Sequence, residues 1–382
     1  MKFIHFGCWN NGPCNIESGD NGLSKTMRKL RSYITTNPID FLVVAGDNYY
    51  PSKVKKDKGE EKAEKAEKIK TLNVADLKSG FACLPKAVKK YILFGNHEYD
   101  ETRLIINEGA SEAIANEEKC KILTLEQEQS KIIDTRDNIN LFEDVIFLNK
   151  EGTLLIMIDT TIYEDENDDI KSFKDSCLKK IFPTLQKKDT IQDFITHQET
   201  RIRDILAENQ DARNIIFVGH HPIITVKYKI DKDKAKTKIS SLEKFKQLFI
   251  NINPLLLGKN KYYLCADTHL YQHGKVTIKS PGIPDIEIDQ YTCGTGGAEQ
   301  DDCPPTLSGI FENKDKTLTY NMDNCSKIFG FLVVNIKDGV INFNFENTEE
   351  SGTGVVHGGS YYSKYLKYKV KYEKLKLQYQ QY

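Results

Sequence analysis

A short apolar run that stops on a glycine or alanine and a ligand-type side chain recurs along this chain. That repetition limits the fold more than any other feature. Residues 41–45 (FLVVA) run into Gly46-Asp47-Asn48, residues 91–94 (YILF) into Gly95-Asn96-His97, and residues 215–218 (IIFV) into Gly219-His220-His221. Residues 262–265 (YYLC) end in Ala266-Asp267-Thr268-His269, and residues 2–6 (KFIHF) in Gly7-Cys8-Trp9-Asn10. Residues 154–158 (LLIMI) end directly in Asp159-Thr160. Runs of this length and composition fit strands buried on both faces, as in parallel sheets, whose functional groups gather where the strands end.

Between the runs, residues 23–33 and 198–206 place apolar side chains at three- and four-residue intervals, which predicts helices. After about Val276 the chain becomes strand-rich, and Lys337-Asp338-Gly339 between two apolar runs is a hairpin signal. The expected class is α/β, with one domain over 1–350. A glycine-rich linker follows over 351–360 and a separate tail over 361–382. The chain has 382 residues, 39% of them hydrophobic, enough for one sizeable core. Two segments look inserted. Residues 53–70 are rich in Lys, Glu and Ala and read as a solvated helix or a loop; residues 101–149 have no strong period.

A net charge of −1 gives no global reason to expect nucleic acid or an anionic membrane as partner. No run reaches the length of a membrane span, and Met1 leads straight into the first strand without the pattern of a secretory signal. The expectation is therefore an intracellular protein. Nine cysteines, an odd number without tight spacing, read mostly as reduced thiols and not as a disulfide framework.

Taken singly, Gly46-Asp47-Asn48-Tyr49-Tyr50, Gly95-Asn96-His97-Glu98 and Gly219-His220-His221-Pro222 each also fit an ordinary turn. Together they put aspartate, tyrosine, asparagine and histidine just past strand ends. That set suits hydrolysis of a phosphorylated substrate by two cations about 4 Å apart, which need a shared carboxylate and several N and O ligands. A water between two such cations loses its proton near neutral pH and becomes a nucleophile.

These motifs resemble those of the calcineurin-like metallophosphoesterases, and most closely the tartrate-resistant purple acid phosphatases. The resemblance runs from about residue 2 to residue 346 and includes Ile158-Asp159-Thr160 and the block ending in His269. Tyr50 is the position that marks the purple acid phosphatases within the wider group. The resemblance implies a two-sheet α/β/β/α sandwich with flanking helices and two metal ions, iron, manganese or zinc. It implies that Asp47 bridges the metals, Tyr50 and His269 bind the first, and Asn96 and His220 bind the second. His97 would contact substrate or protonate the leaving group.

Two positions depart from the pattern. Cys8 stands where the family has an aspartate ligand of the first metal, and Asp267 where it has a histidine ligand of the second. A thiolate suits zinc or iron, and a carboxylate suits manganese, iron or magnesium, so both replacements remain ligand types. The alternative is a catalytically inactive phosphoesterase fold serving as a binding or structural protein, for instance in a virion. In the tail, Tyr361, Tyr365, Tyr368, Tyr372, Leu375, Tyr379 and Tyr382 form a heptad stripe flanked by lysines. The stripe fits docking on the body, self-association, or binding to an acidic protein surface. It resembles C-terminal tails of proteins from giant DNA viruses of the mimivirus kind.

Overall fold

The computed structural model describes residues 1–53, 70–99, 104–107, 114–116, 145–164, 191–231, 234–306 and 308–349. Two large sheets dominate it. In the five-stranded sheet, Lys2–Phe6, Phe41–Ala45 and Lys89–Leu93 run parallel. The antiparallel pair Gly330–Lys337 and Val340–Asn347 completes it on the Lys2–Phe6 side. In the eight-stranded sheet, Thr153–Ile158, Asn214–Val218, Asn260–Cys265 and Ile286–Cys293 run parallel. Antiparallel strands flank them: Val145–Lys150 at one edge, and Tyr271–Ile278, Leu318–Ser326 and Gly309–Glu312 at the other.

Side-chain alternation along the strands sorts the apolar residues into layers. In the eight-stranded sheet, Leu155, Met157, Ile216, Val218, Leu264 and Ala266 share one core with the five-stranded sheet. Their neighbours Leu154, Ile156, Ile215, Phe217, Tyr263 and Cys265 face the other way, into a second core. That second core is covered by helices α3 (Ile191–Glu208) and α4 (Glu243–Leu256), through Phe194, Ile202, Phe245 and Phe249 among others. Helices α1 (Gly22–Thr36) and α2 (Val74–Cys83) belong to the first core, through Leu23, Met27, Leu30, Leu77 and Phe81. Asn21 caps α1 by accepting the Ser24 N–H at 2.8 Å, which satisfies one of the helix's free amides. The result is the expected sandwich of two sheets with helices outside.

The six apolar runs all form strands, and the turn at Asp338-Gly339 (φ +53° and +76°) joins the two final strands as a hairpin. Residues of both inserted segments pair in a small separate sheet that the sequence did not announce. Its order is Ser52–Lys53, Lys70–Asn73, Leu104–Asn107, Ile114–Asn116. The linker 351–360 and the tail 361–382 lie outside the described residues. None of the described helices is long and apolar enough to cross a membrane.

The cysteine reading needs correction. Cys14 pairs with Cys83 and Cys303 with Cys325, while Cys8, Cys265 and Cys293 are buried free thiols. Partners 69 and 22 residues apart leave no spacing signature; only the fold brings them together. Disulfides persist in oxidising surroundings, so the cysteines no longer support an intracellular placement.

The two sheets close on each other at Gly7. A β-carbon there would lie 2.6 Å from the Ala266 Cβ and 2.7 Å from the Ala45 carbonyl oxygen, so only glycine fits. Two residues earlier, the buried His5 spans the same gap, its Nε2 3.0 Å from the Cys265 carbonyl oxygen. Its Nδ1 has no partner among the described residues. Burial pulls the His5 imidazole down from 6.5 to about 4, so the fold holds it neutral. The unfolded chain takes up a proton below pH 6.5 and the folded chain does not, so stability falls from there toward pH 4. We expect His5→Gln to flatten that decline, by up to about 3 kcal/mol at pH 4. Urea unfolding of both proteins between pH 4 and 7 measures it, and parallel profiles would remove His5 as the cause.

Candidate metal centre where the two sheets meet

Three strand-end turns take an unusual backbone. Cys8 (φ +52°), Asp47 (φ +51°) and Asp267 (φ +48°) all sit in the left-handed region, each one residue after Gly7, Gly46 or Ala266. Such a residue without glycine's freedom carries strain of order 1–3 kcal/mol, held by its surroundings, and such strain clusters at functional sites. The holding contacts are visible. The Cys8 N–H donates to the Gly46 carbonyl at 3.0 Å and the Trp9 N–H to the Asp47 carbonyl at 3.3 Å, so two turns lock together. The buried Glu98 carboxylate accepts the N–H groups of Asp47 (3.0 Å), Asn48 (2.8 Å) and Gly95, tying the Asp47 turn to the one at Gly95-Asn96-His97.

Asp47 is the hub. Its Oδ1 lies 3.3 Å from His220 Nε2 and accepts the His97 N–H at 3.1 Å. Its Oδ2 accepts the Tyr50 phenol at 2.7 Å and lies 3.8 Å from Cys8 Sγ. Tyr50 in turn stands 3.1 Å from His269 Nε2. Asn96 Oδ1 is 3.2 Å from His220 Nε2. The His97 ring packs against Tyr50 with centroids 4.4 Å apart, and its Nε2 is 4.0 Å from Asp47 Oδ2. Two groups emerge whose donor atoms lie within 4.8 Å of one another: Cys8, Asp47 and His269, and His220, His221 and Asp267. All eight candidate residues therefore gather at one place.

Two of the site histidines are oriented alike. His220 holds Nδ1 2.6 Å from the Ala45 carbonyl, and His269 holds Nδ1 2.6 Å from the Glu299 carbonyl. A carbonyl only accepts, so each Nδ1 carries the proton and each Nε2 is turned to the site, the arrangement metal-ligating histidines use. His221 is held differently. Thr160 Oγ1 accepts the N–H groups of His220 and His221, and its own hydrogen is left for His221 Nδ1 at 3.1 Å. His221 Nε2 then faces Glu164 at 3.0 Å.

The charges are strongly coupled. Burial works to raise Asp47, but His220 and His97 beside it hold its carboxyl well below the usual range. Burial works to lower His220, but Asp47 pushes it up to about 10. Burial and the Asp47 charge together push the Cys8 thiol and the Tyr50 phenol well up. Asp267 is drawn down by Lys227 and His221 against its own burial.

The sequence model of the calcineurin-like phosphoesterase family matches residues 1–271. The chain belongs to this family. A search of the curated proteins found no match. The solved structure of PhoD is similar over 94% of this chain and 73% of that one, at 10% identity and a TM-score of 0.47. Calcineurin-like phosphoesterases are metal-dependent, and the residues present fit a cation. They offer imidazole Nε2, carboxylate and amide oxygens with nearest neighbours at 3.2 and 3.3 Å. Ligands bonded at about 2.0–2.1 Å to one ion sit at about that separation from each other.

Sequence reasoning passed over Glu98, although it stands in the Gly-Asn-His-Glu block next to two residues it did single out. It had no signal for Lys227, Asp301 or Glu164, which reach the site from separate parts of the chain. Gly95 is a steric requirement of this calcineurin-like phosphoesterase. A β-carbon there would lie 2.3 Å from Asp47 Oδ1 and 2.8 Å from His220 Cε1. We expect Gly95→Ala to destabilise the fold by about 1–3 kcal/mol. An unchanged urea midpoint would show that Asp47 and His220 do not close over this position.

Proposed function

We propose that the protein hydrolyses a phosphate ester at a two-metal centre, with Asp47 shared between the ions. The supporting observation is the division of the Asp47 carboxylate: Oδ1 faces His220, whose Nε2 also meets Asn96 Oδ1, and Oδ2 faces Tyr50 and Cys8. One ion would be held by Cys8, Asp47, Tyr50 and His269, the other by Asp47, Asn96, His220 and Asp267. Bound there, the cations lower the pKa of a water and neutralise charge that builds on the phosphoryl oxygens. The chain's own residues do the rest. The backbone carbonyls of Ala45 and Glu299 aim the two imidazoles, and Glu98 keeps Asp47 in its turn. His97, at the rim with its side chain 24% exposed, would contact the substrate or protonate the leaving group.

Tyr50 carries the finer likeness to the purple acid phosphatases, since its hydroxyl lies between Asp47 and His269 as a ligand's would. Cys8 in place of a carboxylate favours zinc or iron at the first position. The rival reading, an inactive fold, draws on the same Cys8, whose buried thiol keeps its proton in the ion-free chain. Elemental analysis of the purified full-length chain, with hydrolysis of an aryl phosphate across pH, decides between them. Metal at two equivalents with hydrolysis supports the enzyme. No uptake after incubation with manganese, zinc and iron supports the inactive fold.

Two further outcomes are expected. Asp47→Ala should abolish hydrolysis and lower metal content at both positions, because a bridging carboxylate has no water substitute. Full metal content in that variant would end the shared-ligand reading. Metal uptake should also release protons, because His220, Cys8 and Tyr50 all hold theirs at neutral pH in the ion-free chain. Affinity should then fall as pH is lowered, by about tenfold per unit for each proton displaced. Calorimetry in buffers of different ionisation enthalpy counts the protons, and a count of zero contradicts the ligand set.

A further inference from the structure

One cation in the site is not accounted for by any ligand role. Lys227 lies on the strand Ile224–Asp231, which leaves the His220-His221 turn. Its side chain is only 18% exposed. The ammonium stands 3.2 Å from Asp301 Oδ2 and 3.9 Å from Asp267 Oδ2. Asp301 Oδ2 also accepts the His269 N–H at 3.0 Å. Lys227 thus sits beside both candidate ligand groups, next to Asp267 of one and linked through Asp301 to His269 of the other.

Among the described residues the ammonium is underused. It carries three N–H donors. Asp301 is near enough for one of them, and Asp267 at 3.9 Å is beyond hydrogen-bond length. A lysine kept largely from water, with donors to spare at the edge of a carboxylate-rich site, is suited to an anion that arrives and leaves. A phosphate monoester offers three unesterified oxygens and close to two negative charges. A diester offers two such oxygens and one charge, so it has no third oxygen for a further cation.

We propose that Lys227 binds the phosphoryl group directly and makes phosphate monoesters the preferred substrate class. This rests on the phosphoesterase reading above. The lysine donates to the third phosphoryl oxygen, and Asp301 fixes the ammonium while also holding the His269 backbone. No bond is made or broken at Lys227, so its effect is on binding and selectivity.

The test uses the full-length chain and three variants: Lys227→Met, Lys227→Arg, and Lys227→Met combined with Asp301→Asn, which removes the ion pair without stranding Asp301. Metal content is read by elemental analysis, and affinity for inorganic phosphate by calorimetry. The kcat/KM for an aryl phosphate monoester and an aryl phosphate diester completes the set. We expect both methionine variants to keep their metal and bind inorganic phosphate at least tenfold more weakly. Monoester kcat/KM should fall at least tenfold further than diester kcat/KM, and Lys227→Arg should recover part of both losses. Phosphate affinity within twofold of the parent in a methionine variant that retains metal overturns the proposal. So does metal loss in both methionine variants, which would make Lys227 a support for the ligands. Equal losses on the two esters overturn the monoester preference. If the parent takes up metal but hydrolyses neither ester, the enzyme reading fails, and the phosphate affinities still decide the role of Lys227.

Discussion

The site depends on one contact between the two sheets, the buried pairing of Asp47 with His220. Asp47 ends a strand of the five-stranded sheet and His220 ends a strand of the eight-stranded sheet. Their side chains meet at 3.3 Å with both residues out of water. In such surroundings an unpaired charge costs several kcal/mol, so the Asp47 carboxylate requires the His220 imidazolium or a cation beside it. The remaining close approaches serve this meeting. Gly7 lets the sheets touch, Gly95 leaves room for the carboxylate, and the Ala45 carbonyl aims the imidazole.

The left-handed turns show how the fold holds an arrangement that the local chain does not favour. Cys8, Asp47 and Asp267 are all strained, and the amides and carbonyls of Cys8 and Asp47 are bonded to neighbouring segments of the chain. Glu98 is central to this, because one carboxylate gathers three amides from two strand ends. Burial and the nearby Asp47 charge push the Glu98 carboxyl up to about 8, against the pull of the amides it accepts. A cation on Asp47 would relieve that repulsion, which gives a physical reason for metal and fold to stabilise each other.

Support also comes from outside the strand ends. The segment that supplies the Glu299 carbonyl and Asp301 runs on to Cys303, whose disulfide to Cys325 anchors it to the strand Leu318–Ser326. The first loop, after Trp9, is tied at Cys14 to the end of α2 at Cys83. Each bond constrains a loop next to the site, where backbone freedom would blur the positions of the candidate ligands.

The sequence by itself determined the strands and the residue types at their ends. Residues 41–45, 215–218 and 262–265 are apolar on both faces, a pattern few folds accept, and turn chemistry after them marks Asp47, His220 and Asp267. Both follow from local rules of periodicity and conformation. The Asp338-Gly339 hairpin was legible for the same reason. Only the tertiary structure decided which sheet each strand joins, and that Cys14 meets Cys83 across 69 residues. It also decided that Lys227 and Asp301 stand 3.2 Å apart, and that Asp47 presents one oxygen to each group of donors. Those facts depend on long-range packing and on left-handed turns at three residues that are not glycine. No local pattern encodes them, because the contacts that hold such turns come from distant parts of the chain.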